Sequence, residues 1–267
     1  MTINATLTRR PAALEVHHVH KVFHGRRDKI HALSDVSLAL PEGSFTCIVG
    51  PSGCGKSTLL RILGELERAT TGEVVNRVKK SSAPRSAFVF QEHGVFPWYS
   101  VVENVAFGLH MAGMKKAKRL ATARHWVDKV GLTTFADAYP HQLSGGMRQR
   151  IAIARAFATG SESLLMDEPL GALDAQTRRV MQEQLLDLWE AERKSVVLVT
   201  HAIDEALLLG DQIVVMSARP GRILRIIAVP FPRPRQMEIE STPEFAQMRQ
   251  EIWELLRDEV RASMSFR

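Results

Sequence analysis

Hydrophobic and polar positions alternate over residues 14–23 and again over 32–40, and Pro41-Glu42-Gly43 closes the second run. A period of two predicts strands with one buried face, here an antiparallel layer near the start of the chain. Phe45-Thr46-Cys47-Ile48-Val49 reads differently, as a short run buried on both faces, and similar runs recur at 87–90, 163–166, 196–200 and 213–216. Between these strands the period lengthens. Residues 58–63 and 175–192 read as helices, and Leu120, Ala123, Val127 and Val130 make a stripe that stops at Gly131. Residues 92–159 are therefore expected to form a helical lobe inserted into an α/β fold. Near the end, Val229-Pro230-Phe231-Pro232-Arg233-Pro234-Arg235 can continue neither sheet nor helix and reads as an extended connector. Thr242-Pro243-Glu244 then opens a helix whose stripe is Phe245, Met248, Ile252, Leu255, Leu256 and Val260, expected to dock on the core.

Gly50-Pro51-Ser52-Gly53-Cys54-Gly55-Lys56-Ser57-Thr58 lies between the strand at 45–49 and the helix at 58–63. It fits the phosphate-binding loop G-x-x-x-x-G-K-[ST]. In such a loop backbone N–H groups wrap phosphates, the lysine neutralises charge and the hydroxyl after it ligates Mg²⁺. The helix presents its positive end to the same phosphates. ATP with Mg²⁺ is the expected ligand, held by Lys56 and Ser57. A second apolar run, Ser163-Leu164-Leu165-Met166, ends in Asp167 and Glu168. Asp167 is the candidate metal-side carboxylate, and Glu168 is placed to orient and polarise an attacking water.

One nucleotide needs only one such loop, yet Leu143-Ser144-Gly145-Gly146-Met147-Arg148-Gln149-Arg150 supplies another glycine-rich helix start, with Ser144 as its cap and bare amides at Gly145 and Gly146. With GPSGCGKST, Gln91, LLMDEP, Gly171-Ala172-Leu173-Asp174 and His201 in order, the chain from about 14 to 235 resembles the ABC-type ATPases. The resemblance implies a P-loop NTPase (RecA-like) α/β core with an N-terminal antiparallel β subdomain and an inserted α-helical subdomain carrying the ABC signature. The divisions expected are a tail at 1–13, the ATPase domain at 14–235 with its helical part at about 92–159, and a C-terminal helical extension at 236–267.

It further implies a head-to-tail dimer with a second, identical or homologous ATPase subunit. In that dimer the phosphate loop of one copy and Ser144, Gly145 and Gly146 of the other sandwich each ATP. Two positive helix ends facing one triphosphate favour closure only while the γ-phosphate is present. By the same resemblance Gln91 lies near Mg²⁺ and the lytic water, and His201 contacts the γ-phosphate. Asp174 lies at the dimer seam, and Phe23 stacks on adenine. Met147 stands where glutamine is frequent, and Phe23 where tyrosine is. A thioether donates no hydrogen bond, which puts a polar contact from Met147 to the opposite ribose in doubt.

Composition narrows the partners. The 267 residues, 45% of them hydrophobic, suit one large α/β domain with an appended lobe, and no internal repeat is evident. No apolar run approaches the roughly 20 residues that span a bilayer, and residues 1–10 lack a signal-type core. The chain is expected at the cytoplasmic face of a cell membrane, peripheral to separate permease subunits, as importers of this family are built. An exporter ATPase, or a soluble ABC ATPase working on nucleic acid or ribosomes, is the alternative. The net charge is +6, with basic clusters at Arg9-Arg10, Lys115-Lys116-Lys118-Arg119 and Arg233-Arg235. Aromatics are not interleaved with them as nucleic-acid stacking requires, so they read as solvated faces and no nucleic-acid partner is expected. His17, His18 and His20 read as surface or sheet residues.

Two cysteines exclude a disulfide framework and suit a reducing compartment. Cys47 is expected buried, whereas Cys54, inside the phosphate loop, is expected to be open to alkylation that ATP blocks. After Gln91, the segment Phe96-Pro97-Trp98-Tyr99 lies where importers receive a membrane subunit's coupling helix, with Phe96, Trp98 and Tyr99 as the expected lining. That segment, Ser217-Ala218-Arg219-Pro220-Gly221-Arg222-Ile223 and Phe231-Pro232-Arg233-Pro234-Arg235 resemble the nitrate, sulfonate and taurine importer ATPases. The resemblance implies uptake of a small anion of the nitrate, sulfonate, taurine or bicarbonate class, delivered by a solute-binding protein.

Overall fold

A computed structural model describes residues 11–25, 28–77 and 83–264. Arg9-Arg10 and most of the expected tail lie outside the described residues. The chain divides into two compact units, residues 1–78 with 193–267, and residues 79–192.

In the first unit, β1 (Ala12–His24) pairs antiparallel with β2 (Lys29–Pro41) on one side and with β4 (Thr71–Asn76) on the other. Leu14 and Val16 of β1 and Val36, Leu38 and Leu40 of β2 are buried, the inner positions that the alternation predicts, and Val19 is buried out of phase with them, after a register shift between Val16 and Val19. His17 and His18 are exposed and pair with Glu15 and Asp35, as sheet residues do. β3 (Phe45–Val49) lies between β7 (Ser195–Val199) and β8 (Gln212–Met216), parallel to both, and every residue of the three is buried. This explains why they read as unbroken apolar runs and not as alternation. β9 (Ile223–Ala228) adds antiparallel to β8. The unit's helices are α1 (Lys56–Leu63), α6 (Ile203–Leu209) and α7 (Pro243–Met264). Thr242 Oγ1 caps α7 by accepting from Phe245 N–H at 3.3 Å, and Phe245, Ile252 and Leu256 of the stripe are buried.

The connector between β9 and α7 corrects one expectation. Arg233 and Arg235 do not form a solvated basic face. Arg235 is buried, and its Nη1 donates to the carbonyls of Leu207, Leu208 and Gly210 at the C-terminal end of α6. Arg233 donates to Leu209 O and to Asp211 Oδ1, the latter at 2.9 Å. Helix ends leave carbonyls without intrahelical partners, and a cation there satisfies both the acceptors and the negative end of the dipole. Position beside a helix terminus, not composition, decides where this charge goes.

In the second unit, β5 (Ser86–Val89) pairs parallel with β6 (Ser163–Asp167), and α2 (Val101–Met111), α3 (Lys116–Lys129), α4 (Gly145–Ala158) and α5 (Ala175–Glu192) complete it. The stretch expected to be helical thus holds α2, α3 and α4. Ala123, Val127 and Val130 of the predicted stripe are buried, and Trp126 meets Phe157 of α4 with ring centroids 5.4 Å apart. Truncating a ring such as Phe157 to alanine costs about 3–5 kcal/mol in a core of this kind.

Candidate functional site

In the first unit, β3 delivers the chain to a loop that cannot relax into ordinary turns. Gly53 and Gly55 have φ of +75° and +106°, left-handed values that glycine adopts at little cost. A Cβ on Gly55 would also come within 2.8 Å of Ala32 O. Gly55 is the N-cap of α1 and offers no side-chain acceptor to its first turn, and helix starts of this kind suit anions. Lys56 is buried, and its Nζ donates to Gly50 O at 2.8 Å and Pro51 O at 3.0 Å. A lysine anchored on its own loop carbonyls is a fixed positive charge at the loop's centre. Ser52 and Gly53 are exposed, while Ser57 and Thr58 are half-buried at the start of α1.

Cys54 departs from its expectation. The thiol is buried, and a Cβ on Gly50 would meet its Sγ at 2.9 Å. Burial raises the pKa of Cys54 above the ordinary thiol value, against a smaller opposing effect from Lys56. An open, reactive thiol is therefore not what this loop presents. Cys47 is buried as expected, and burial raises its pKa strongly.

Also in the first unit, His201 follows β7 and is exposed. Phe23, near the end of β1, is 38% exposed, with Lys21 Nζ 4.7 Å from its ring centroid. An aromatic ring this open at a strand end is available as a stacking platform.

In the second unit, Asp167 is buried at the end of β6, and Glu168 directly after it has φ +45°. A non-glycine residue held in the left-handed region carries local strain of a kind that clusters at functional sites. Gln91 Nε2 donates to Glu168 Oε2 at 3.2 Å, so two of the predicted residues meet directly. Among the described residues no group of three or more His, Cys, Asp or Glu could cage a metal.

Ser144 caps α4, its Oγ accepting from Met147 N–H at 3.2 Å. Gly145 has nothing within 4 Å of where a Cβ would be. Gly146 is buried instead, and a Cβ there would lie 2.8 Å from Thr177 Cγ2 of α5. The two glycines therefore have different surroundings, open space at Gly145 and helix packing at Gly146. Asp174 Oδ1 accepts from the N–H groups of Gln176 and Thr177 at 3.1 and 3.0 Å, capping α5, and the bond from Thr177 lowers its pKa. Arg178 locks the same turn by donating to Leu170 O and Leu173 O.

Beyond Gln91 the segment is tied down by residues that sequence reasoning missed. Asn104 of α2 is fully buried; its Oδ1 accepts from Phe96 N–H at 2.7 Å and its Nδ2 donates to the carbonyls of Phe96, Tyr99 and Ser100. Arg155 of α4 donates to the carbonyls of His93 and Gly94 and lies 5.6 Å from the Phe96 ring centroid. His93 Nδ1 bonds Gln149 Oε1 at 2.5 Å. An asparagine flanked by Val101, Val102, Val105 and Ala106 in the first turns of α2 was the available signal for Asn104. The ring of Phe96 lies 4.5 Å from that of Phe107, while Trp98 is left 67% exposed. Tyr99 and Phe107 line a cleft of about 560 Å³ together with Glu103, Lys116, Arg119 and Tyr139.

Residues 33–171 match the family described as ABC transporter. The chain is 42% identical to a nitrate import ATP-binding protein of a Synechocystis species, over 91% of this chain and 95% of that protein. It is 45% identical to a taurine import ATP-binding protein of Rhizobium johnstonii, over 91% and 96% of the two. Among solved structures, a dimeric ATP-binding cassette in a post-hydrolysis state with ADP and Pi superposes with a TM-score of 0.72 at 33% identity, covering 82% of this chain and all of that one.

Proposed function

We propose a function from one premise: the chain belongs to the ABC transporter family. It is the ATP-hydrolysing subunit of an importer, working as a dimer with separate membrane permease subunits. The observation that carries this reading is the pair of glycine-rich helix starts, one uncapped around Lys56 and one with open space at Gly145. A single nucleotide enclosed by one chain has no use for the second. A dimer that presents the Ser144 to Gly146 stretch of its partner to each triphosphate does.

In the finer assignment, Gly50 to Thr58 cradle the phosphates, with the Lys56 charge at their centre. Ser57, Gln91 and Asp167 would hold Mg²⁺, which would supply neutralisation of the phosphate charge. Glu168 positions and polarises the attacking water, Gln91 braces its carboxylate, and His201 holds the γ-phosphate side. Phe23 stacks on adenine, and Asp174 fixes the turn at the dimer seam. The cleft beside Trp98 and Tyr99 receives a membrane subunit. A tryptophan 67% exposed beside a polar-rimmed cleft is what docking requires and what a core residue never shows. The solute is a small anion of the nitrate, taurine or sulfonate class, delivered by a solute-binding protein, and the membrane subunits select it.

The test is Glu168→Gln. It should keep ATP binding, lose roughly 10²- to 10³-fold in turnover, and accumulate as a closed dimer with Mg-ATP, read by size-exclusion chromatography with the permease subunits present or absent. Parental turnover in that variant would remove Glu168 from the assignment. Failure to dimerise in both settings would remove the dimer mechanism.

A further inference from the structure

A turn behind the phosphate loop has no role in the assignment above. It runs from Ser217 to Arg222, after β8, and closes on itself: Ser217 N–H donates to Arg222 O at 2.9 Å, and Arg222 N–H donates to Ser217 Oγ at 3.0 Å. Gly221 N–H donates to Ala32 O at 2.9 Å and Ser34 N–H to Gly221 O at 3.0 Å, which fastens the turn to β2. A Cβ on Gly221 would run into Cys54 O, so the turn lies directly against the phosphate loop.

From this turn two contacts leave in opposite directions. Arg219 reaches the phosphate loop, where its Nε and Nη2 both donate to Gly53 O at 3.2 and 3.1 Å. Its neighbour Ala218 donates its N–H to Glu259 Oε2 of α7 at 2.7 Å. A trans peptide is planar, with its C=O and N–H on opposite edges. Holding the Gly53 carbonyl toward Arg219 therefore turns the Cys54 N–H of the same peptide the other way, where it donates to Pro51 O at 3.3 Å and closes the turn within the loop. Gly53 at φ +75° has wide conformational freedom of its own, so an external tether at this carbonyl restricts what the sequence leaves loose.

We propose that Arg219 is a positioning residue that keeps the phosphate loop in its anion-binding conformation, and that α7 sets this grip through Glu259 and Ala218. Displacing α7 slackens the turn and weakens nucleotide binding without touching the chemistry of hydrolysis. The inference rests on the reading of residues 50–58 as the ATP site. Both bonds from Arg219 converge on one oxygen and the side chain is exposed, so the effect is on affinity and is moderate.

The test uses the full chain, a fluorescent ATP analogue for equilibrium binding, and steady-state hydrolysis. Arg219→Ala should raise Kd for the analogue and KM for ATP about threefold to tenfold, with turnover at saturating ATP changed far less. Arg219→Lys should recover part of the loss, because an ammonium group still donates one bond to Gly53 O. Glu259→Ala should raise KM about twofold to threefold, and combining it with Arg219→Ala should add almost nothing, since both act through one turn. Unchanged affinity in Arg219→Ala, a fall in turnover at constant KM, or fully multiplicative effects in the double variant would each overturn the inference. A parental chain that binds no analogue would overturn the nucleotide reading and this inference together. Parental binding with equal binding by Arg219→Ala overturns this inference alone.

Discussion

The starts of α1 and α4 are both glycine-rich, and they are built on opposite plans. α1 begins at a left-handed glycine with no side-chain cap, and its loop is packed closely by Ala32, Met216 and the buried Lys56. α4 begins at an extended serine that caps its own helix, and Gly145 stands open. The first is a finished cradle, in which glycines allow a fold that no other residue permits. The second is a surface, in which a glycine stands in open space. Glycine content alone therefore says little, and the difference appears only when the space around each Cα is known.

The comparison can be broken most severely at α1. Lys56→Ala removes the fixed charge at the centre of the cradle and should lower turnover by about 10²-fold or more, with ATP binding lost in a filter or fluorescence assay. Binding and turnover at the parental level would mean that the cradle is not the site.

Next in size is the contrast between the two signature glycines. Gly146→Ala drives a methyl group against Thr177 Cγ2 and should destabilise the chain by about 1–3 kcal/mol in chemical denaturation. Gly145→Ala should fold normally and bind ATP as a monomer, yet form the Mg-ATP dimer poorly. Equal loss of stability in both variants would erase the distinction drawn between them.

A smaller effect concerns the thiol in the cradle. Because burial raises the Cys54 pKa, thiolate is scarce near neutrality, and alkylation by N-ethylmaleimide should be slow at pH 7. Its rate should go on rising with pH after that of an exposed thiol, whose pKa is about 8.5, has reached its plateau. Mass spectrometry of the modified loop would read this, and rapid labelling at pH 7 would contradict the buried thiol.

The smallest expected change lies at the α5 cap. The bonds from Thr177 and Gln176 lower the Asp174 pKa, so the folded carboxylate titrates below its unfolded value. Its contribution to stability is complete above the unfolded value, about pH 4, and is lost as pH falls through the depressed folded value. Asp174→Asn should flatten that acid limb of a melting-temperature profile while changing little at pH 7.

What was legible in the sequence follows from which forces are local. β3, β7 and β8 are buried on both faces, and Phe45 to Val49 and Val196 to Val199 advertise this as unbroken apolar runs. The loop around Lys56 and the acid pair after β6 were readable because phosphate and metal chemistry dictate residue types at short spacing. β4 and β9 were missed because they are exposed or half-buried along their length, with little alternation to read. Cys54, Arg233 and Arg235 were misjudged for a single reason: what surrounds them comes from distant segments. Gly50 lies against Met216 and Cys54 against Gly221, and the two arginines meet a helix end some 25 residues upstream, about the separation of Arg235 from Gly210. Gly146 shows the same limit, since the threonine that forbids its Cβ belongs to another helix.

The buried Arg235 also bears on how far the chain can be shortened. Cutting after β9 spares every strand, yet strips three carbonyls at the end of α6 of their donor in a site closed to water. A trimmed polypeptide meant to stay folded must therefore keep at least its residues through 235, whatever becomes of α7 beyond it.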